Sequence, residues 1–436
     1  MISNVPDDSS SLSREKFSLA RRPKKEHMGN MCVRGLKYKL KPTSEQETLF
    51  RQFSGVCRLI YNLALEQRRD WYRHYQRCTD KKLNYGAQAR ELTDLRAEYD
   101  FIAAVSQTCQ QQALRDLDTA YGNFFAGRAD YPRPRKKGER DSFRFQGREC
   151  SMIRLNAKWS LVRLPKIGLV KFRDTRPLCG TVKNVTVMRE ANGWHIPFCC
   201  AFEHAIPAND LPSVGIDRGV ANTLWLSTDD EPLCLPNSLK KIDRRKRGMQ
   251  ARAMRNGQRG SNRFAKKMRR VAALSARAAR IRRDWHHKTS LMIARRFGAV
   301  ALEDLKITNM TASAKGTIEA PGCNVRQKAA LNRSILAQVW GGFEILLAYK
   351  LEDRGGTLSL VNPAYTSQGC AACGTIDTRN RKSQAVFECV DCGHRDHAYR
   401  NAAVNILCRN TASRGVESRQ SKSPREAPTQ KDASRP

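Results

Sequence analysis

Apolar and polar positions alternate over residues 33–40, which predicts a strand, and Pro42 ends it. Thr43-Ser-Glu-Gln46 then has the form of a capping box and opens a long amphipathic helix. Its apolar residues Leu49, Phe50, Phe53, Val56, Cys57, Ile60, Tyr61 and Leu63 recur at helical spacing on one face. Helix continues through about 91–98 and again over 105–125, where Leu114, Leu117, Tyr121 and Phe124 repeat that spacing. The block at about 43–128 therefore reads as a helical insert between β segments, with its apolar stripes as core. From residue 131 to about 203 the texture changes to short strands. Glu190-Ala-Asn-Gly-Trp194 predicts an Asn-Gly hairpin turn between arms at 182–188 and 194–202. The loop Pro132-Arg-Pro-Arg-Lys-Lys137 is basic and expected to be exposed. A small β-barrel interrupted by helices is the economical architecture for this half.

A second domain begins near Leu211. The run Val214-Gly-Ile-Asp217-Arg-Gly-Val-Ala-Asn-Thr-Leu-Trp-Leu-Ser227 predicts two strands with a turn between them, so Asp217 ends a buried strand. Phe297-Gly-Ala-Val-Ala-Leu-Glu303 is another apolar strand with a carboxylate at its end. Residues 327–352 predict one helix with Ile335, Leu336, Val339, Trp340, Phe343 and Leu346 on its apolar side, stopped by Gly355-Gly356. A short strand at 358–361 follows. Residues 1–30 are polar, Ser-rich and basic, and residues 408–436 are rich in Ser, Lys, Arg and Pro; both are expected to be disordered. Met28 and Met31 stand just before the first patterned segment and are, with Met1, alternative starts.

Charge adds a partner to this outline. The chain has 436 residues, 79 Lys+Arg against 42 Asp+Glu, and a net charge of +37, an excess that points to a polyanion, nucleic acid before all others. Between residues 240 and 296 there are 21 Lys/Arg against only Asp243 and Asp284. A charge run is commonly a solvated helix face, but one this long and single-signed repels itself unless phosphates lie near. Val271, Leu274, Ala278, Ile281 and Trp285 mark a face that packs on protein. Arg269, Arg270, Arg277, Arg280 and Arg283, with Arg244, Arg245, Lys246 and Arg247, are then the candidate nucleic-acid contacts. No run of 18 apolar residues and no signal-peptide pattern occurs, which predicts no membrane partner and a cytoplasmic, nucleoid-associated protein. An aromatic content of 7% disfavours a reader of single strands built mainly on stacking platforms.

Of 15 cysteines, four show metal spacing: Cys370-Ala-Ala-Cys373 and Cys389-Val-Asp-Cys392, joined by a 15-residue spacer. That count and spacing match a structural zinc ribbon, with Gly374 and Gly393 supplying the positive φ that such knuckles need. A closed four-thiolate site clamps a loop and leaves no open position for chemistry. The other 11 cysteines form no disulfide framework, which fits a reducing compartment.

Chemistry must come from elsewhere. Asp217 and Glu303 each end an apolar strand of one domain, so two strands of one sheet can bring them to one edge and hold Mg²⁺ for attack of water on a phosphodiester. A strand-end acid is also a common turn former, and the residues by themselves leave both readings open. Order and context narrow them. Gly-Ile-Asp217-Arg-Gly-Val, then Leu-Glu303-Asp-Leu, then four cysteines followed by Asn401-Ala-Ala-Val-Asn-Ile-Leu407, resembles the TnpB proteins, transposon-encoded RNA-guided nucleases related to type V CRISPR effectors. The resemblance extends through Gly35-Leu-Lys-Tyr-Lys-Leu-Lys-Pro-Thr43 and Asn362-Pro-Ala-Tyr-Thr-Ser367, and covers nearly all of residues 33–410. It implies an α+β multidomain protein. A β-barrel wedge domain with a helical recognition insert (31–210) precedes an RNase H-like (RuvC) α/β domain (211–407) carrying an inserted four-cysteine zinc ribbon (366–394). It also implies a guide RNA from the transposon end, double-stranded target DNA, and three acidic residues using Mg²⁺, the first two mapping to Asp217 and Glu303.

The family's third acid sits in a segment of the form His-Ala-Asp-x-Asn-Ala-Ala, where this chain has His397-Ala-Tyr399-Arg-Asn401-Ala-Ala. A phenol is neutral near pH 7 and a poor partner for a hard cation. The leading expectation is an RNA-guided DNA-binding protein with an impaired or dead nuclease, for example a repressor. One alternative is an active, Mg-dependent endonuclease using Asp217, Glu303 and Asp396; another is a decayed transposon product. A plain zinc-ribbon binder without a guide leaves the carboxylate-ended strands unexplained.

Overall fold

The computed structural model describes residues 31–79 and 83–420; the basic extension at 1–30 and the end of the tail at 421–436 lie outside them. These residues form two compact units divided between Ala205 and Ile206.

In the first unit the alternating segment is β1 (Met31–Lys41), and β2 to β7 follow at Ser142–Gln146, Ser151–Arg154, Trp159–Leu164, Gly168–Arg173, Thr181–Glu190 and Gly193–Glu203. They make one seven-stranded sheet in the order β2-β6-β7-β1-β5-β4-β3. β1 runs antiparallel to β7 along most of its length, from Met31 opposite Glu203 to Lys39 opposite His195, then passes to β5 at Leu40 opposite Phe172. Thr43 caps the Ser44–Trp71 helix reciprocally with Gln46, as its sequence predicts. Phe50, Phe53, Val56, Cys57, Ile60 and Tyr61 are buried there, with Phe50 edge-on to Trp194 and Phe53 tilted against Phe143. Leu63 departs from the expected stripe and is 43% exposed. Helices Tyr85–Glu98 and Gln107–Phe125 complete the insert, and Leu114 and Leu117 are core. At the β6–β7 hairpin Glu190 pairs with Gly193, and the positive φ of the turn falls on Gly193 (+115°). In the loop at 132–137 Arg135 is not free: it lies 3.9 Å from the Tyr61 ring centroid and pairs with Asp116 at 3.0 Å.

The second unit is built on a four-stranded sheet of β8 (Ser213–Asp217), β9 (Trp225–Leu226), β10 (Ala299–Glu303) and β11 (Thr357–Val361), in the order β11-β10-β8-β9. β10 is parallel to both β8 and β11, and β9 is antiparallel to β8. Strands buried on both faces read as unbroken apolar runs, which is why 214–216 and 299–302 show no alternation. Between β9 and β10 the basic stretch folds as two helices, Ser238–Asn256 and Asn262–Arg296. Ala278 packs with Leu239 and Ile242 between them, and Leu274 and Ile281 flank this seam.

The single helix expected over 327–352 is two, Val325–Gln338 and Trp340–Glu352, broken at Val339 with φ +56° and ψ +45°. The break resets the helical phase. Of the predicted apolar side Ile335, Trp340 and Phe343 are buried while Leu336 and Val339 are exposed, and Leu347 and Leu351 join Phe343 in the core with Val214, Ile216, Val300 and Leu302. A β-branched residue in the left-handed region is costly, so the surroundings must hold it. Gln338 does so from the preceding turn: its Nε2 donates to the Val220 carbonyl at 3.0 Å and its Oε1 accepts from Thr223 Oγ1 at 3.3 Å.

After β11 the cysteine-bearing segment carries a two-stranded pair, β12 (Val386–Glu388) and β13 (Arg395–His397), and leads into the Ala398–Gln420 helix. That helix runs past Leu407, so the tail expected to be disordered from 408 is helical to Gln420. It lies on β8, and the approach is close because Gly215 has no side chain. A Cβ there would stand 2.1 Å from the Ala403 carbonyl oxygen and 2.7 Å from the Leu407 nitrogen.

Candidate active site

Parallel neighbours β8 and β10 pair Ile216 with Leu302, so the next residue of each, Asp217 and Glu303, emerges at the same C-terminal edge of the sheet. Both are buried. Arg218, itself buried, turns back under this edge and donates through Nη2 to the Glu303 main-chain oxygen and through Nη1 to Glu344 Oε2 at 3.0 Å. Thr366 Oγ1 donates to Glu303 Oε1 at 2.6 Å. Burial pushes the Asp217 carboxyl up to about 7, with the charge of Glu303 adding to it and the Arg381 and Arg218 guanidiniums opposing. Burial also raises Glu303, against the Thr366 hydroxyl and the charges of Arg218 and Arg409. Two acids that resist joint ionisation form an edge where a cation is welcome. As donors they offer a hard divalent ion two oxygen ligands, fewer than such an ion usually takes from protein and water together.

Tyr399 stands in the first turn of the Ala398–Gln420 helix and is buried. Its hydroxyl accepts from Gln384 Nε2 at 2.8 Å, and Arg381 lies over its ring at 5.4 Å. The ring is nearly parallel to Trp225 at 6.3 Å, with His397 stacked on Trp225 at 4.0 Å. Its edge also closes on Gly219, where a Cβ would meet Tyr399 Cε1 at 3.3 Å. Asp396 lies on β13 opposite Phe387, accepts the His397 N–H at 2.7 Å, and faces Arg400 at 3.9 Å. Arg400 in turn pairs with Asp230 at 2.8 Å. Among the described residues Asp217, Glu303 and Asp396 do not converge as a set of three ligand atoms within 4.8 Å of one another.

Four thiols do converge. The Sγ atoms of Cys370, Cys373, Cys389 and Cys392 all lie within 4.8 Å of one another, with Cys370–Cys392 at 3.7 Å and Cys373–Cys389 at 3.6 Å. A tetrahedral ion with metal–sulfur bonds of ~2.3 Å requires sulfurs ~3.8 Å apart, whereas a disulfide requires ~2 Å. The set therefore fits a metal such as zinc. Each pair is a knuckle: the N–H of Cys370 reaches the Thr375 carbonyl and that of Cys389 the His394 carbonyl, with Gly374 and Gly393 at φ +82° and +72°. The knuckles are tied to the helix behind them. Fully buried Asn401 accepts the Ala371 N–H at 2.9 Å and donates to the Gly369 carbonyl at 2.8 Å. Asn405, one turn on, donates to Gly369 and Thr366 carbonyls.

On the basic helices Arg269, Arg270, Arg277, Arg280 and Arg283 are exposed, as are Arg244, Arg245 and Arg247. Lys246 is partly buried and pairs with Asp243 at 3.1 Å. Sequence reasoning did not pick out Arg218, Thr366, Arg381 or Gln384. Arg218 and Thr366 lie inside motifs quoted above, but neither local pattern nor charge signals which acid they touch. Arg381 and Gln384 lie in the cysteine spacer, and nothing in their neighbourhood marks them.

Three protein-family models match: a "Helix-turn-helix domain" over residues 28–77, a "Probable transposase" over 197–314, and a "Cas12f1-like, TNB domain" over 340–406. The chain is 37% identical over 381 residues to InsQ of Escherichia coli (strain K12), which carries the name RNA-guided DNA endonuclease; the match spans 86% of this chain and 92% of that protein. A protein of the same description from Streptomyces pristinaespiralis is 30% identical over 394 residues, 88% of this chain and 91% of its own. In fold the chain is similar to a structure solved by cryo-electron microscopy, a Cas12f1–sgRNA–target DNA complex, with a TM-score of 0.53, 14% identity, and coverage of 84% and 83%. Among the described residues no helix is long and apolar enough to cross a membrane.

Proposed function

Because this chain belongs to the TnpB family of transposon-associated RNA-guided nucleases, we propose that it is an RNA-guided DNA-binding protein whose RuvC-like nuclease is impaired at Tyr399. Its partners in this reading are a guide RNA from the transposon end and double-stranded target DNA. The observation that carries it is the surroundings of position 399. Where the family's third acid is expected, a phenol is packed against Trp225 and Gly219 with its hydroxyl engaged by Gln384. The first unit is then the β-barrel wedge with its helical insert, and the second an RNase H-like domain. Supporting the latter are three parallel strands, one antiparallel neighbour, and two acids on one sheet edge. The four thiols hold zinc as a closed clamp.

Asp217 and Glu303 are the residues that would hold Mg²⁺. A divalent ion bound there supplies an activated water and a counter-charge for displacement at a phosphodiester. This chain's own residues set the edge on which that depends. Arg218 fixes the end of β10 through the Glu303 carbonyl, and Thr366 orients one Glu303 oxygen. With Tyr399 in the third place, one ligand and one negative charge are missing, and cleavage falls by orders of magnitude. The exposed arginines of the Asn262–Arg296 helix support a role in tracking phosphates.

The test uses full-length protein expressed with its flanking transposon RNA, with matched and mismatched duplex DNA in Mg²⁺ or Mn²⁺. The expected result is RNA-dependent, sequence-matched binding without cutting. Cutting of matched DNA by the unaltered protein overturns the reading and gives the third-ligand role to another group, with Asp396 the first to examine.

A further inference from the structure

On the outer face of the first unit's sheet, charge is arranged against its own stability. Lys41 of β1 stands directly opposite Lys171 of β5 in their antiparallel pairing, and like charges so placed repel. Neither lysine forms an ion pair among the described residues. Instead both ammonium groups lie over one indole, that of Trp159 on β4, at 5.8 Å and 5.0 Å from its ring centroid. Arg173 is the cross-strand partner of Trp159, and Arg163 and Arg173 are exposed. From residue 150 to 173 there are six Lys and Arg and no Asp or Glu. The next acid, Asp174, is engaged by the Ser160 hydroxyl at 2.8 Å. Trp159 itself is half-buried, and among the described residues its indole N–H has no acceptor. Its backbone is fixed, because Asn156 Oδ1 accepts the N–H groups of Lys158 and Trp159 at 2.9 and 3.0 Å.

A cation over an aromatic ring is also an ordinary surface contact. That contact does not explain two like charges facing each other with no acid paired to either, whereas an anion bound beside them does. Resting on the reading that the chain carries a guide RNA, we propose that Trp159, Lys41 and Lys171 form a docking site for an unpaired nucleotide of that RNA. The base stacks on the indole, and the two lysines take the phosphates that flank it. A flat ring with a free N–H suits a base, and a pair of ammonium groups suits a phosphodiester. Of the two partners in the functional reading, target DNA arrives as a duplex whose base faces are closed by stacking. A structured RNA presents bases in loops and bulges, where an aromatic side chain reaches them.

The experiment measures affinity of full-length protein for three probes: the flanking transposon RNA, the same RNA fully paired with its complement, and single-stranded DNA of the same sequence. Trp159→Ala is expected to weaken the flanking RNA about tenfold and to leave the fully paired RNA unchanged, while Trp159→Phe keeps most of the affinity. Lys41→Glu separates binding from folding, since it turns a repelling pair into an attracting one. It should raise the urea midpoint of the free protein and weaken the flanking RNA about tenfold or more. Unchanged RNA affinity in both Trp159→Ala and Lys41→Glu, with four-cysteine metal content intact, overturns the inference. A loss in Trp159→Ala that is equal for fully paired RNA does so too, because the ring then only shapes the surface. A larger loss for single-stranded DNA than for RNA overturns it in favour of a DNA strand as occupant. Should Trp159→Ala not fold, Trp159→Phe and Lys41→Glu carry the same test. Failure of the functional reading shows separately, as a choice of DNA that does not depend on the bound RNA.

Discussion

Asp217→Asn removes a charge that the fold holds at a cost, and the size of that cost can be worked out. The carboxyl ordinarily ionises near 3.8 and here is raised to about 7, chiefly by burial. Because the folded value lies above the unfolded one, the folded chain keeps its proton longer. The stability of metal-free protein therefore falls as pH rises from about 4 to about 7 and is level above that. The gap converts to about 4 kcal/mol at pH 8 and to less than half of that at pH 5, since one pKa unit is about 1.4 kcal/mol. Asparagine keeps the shape and removes the charge, so the variant should be more stable than wild type by those amounts. Urea unfolding of both proteins without divalent ions, at pH 8 and pH 5, reads the difference directly. A gain of about 10 °C in Tm at pH 8 is the thermal equivalent for a unit of this size. Added Mg²⁺ or Mn²⁺ should narrow the gap at pH 8, because only wild type keeps both ligands. Destabilisation at pH 8, or a gain identical at both pH values, would refute the argument that burial and Glu303 raise this carboxyl.

Two further predictions concern the scaffold behind the acids. Gly215→Ala places a methyl group 2.1 Å from the Ala403 carbonyl oxygen; the helix must lift off β8, costing about 3 kcal/mol or more, measured as a lowered urea midpoint. Asn401→Ala orphans the half-buried Ala371 N–H, while the Gly369 carbonyl keeps its bond from Asn405. The expected loss is about 2 kcal/mol, together with faster release of the cysteine-bound metal to a chelator.

What could be read along the chain was what is decided within a few residues. The Thr43–Gln46 box sets a helix start because both partners lie within one turn. The strands ending in Asp217 and Glu303 were legible because strands buried on both faces are apolar without interruption. Leu63 misled because a stripe at helical spacing reports a sequence's polarity, not how far the partner surface extends to cover it. The break at Val339 misled for a related reason. Nothing in Gln338-Val-Trp340 disfavours helix, and the left-handed residue is held by bonds to Val220 and Thr223, more than a hundred residues earlier.

The sequence by itself determined that four thiols would come together, since the spacing of two knuckles leaves few other geometries, and it placed an acid at the end of each of two core strands. Only the tertiary structure decided what those acids meet. Parallel pairing of β8 with β10 puts them on one edge; Thr366, 63 residues beyond Glu303, orients a carboxylate oxygen; and the cysteine module sets Arg381 over Tyr399. Local patterns are written by the solvent preference of neighbouring residues. The charge environment of a buried acid is a sum over groups brought near by chain reversals, and that sum exists only once the chain has folded.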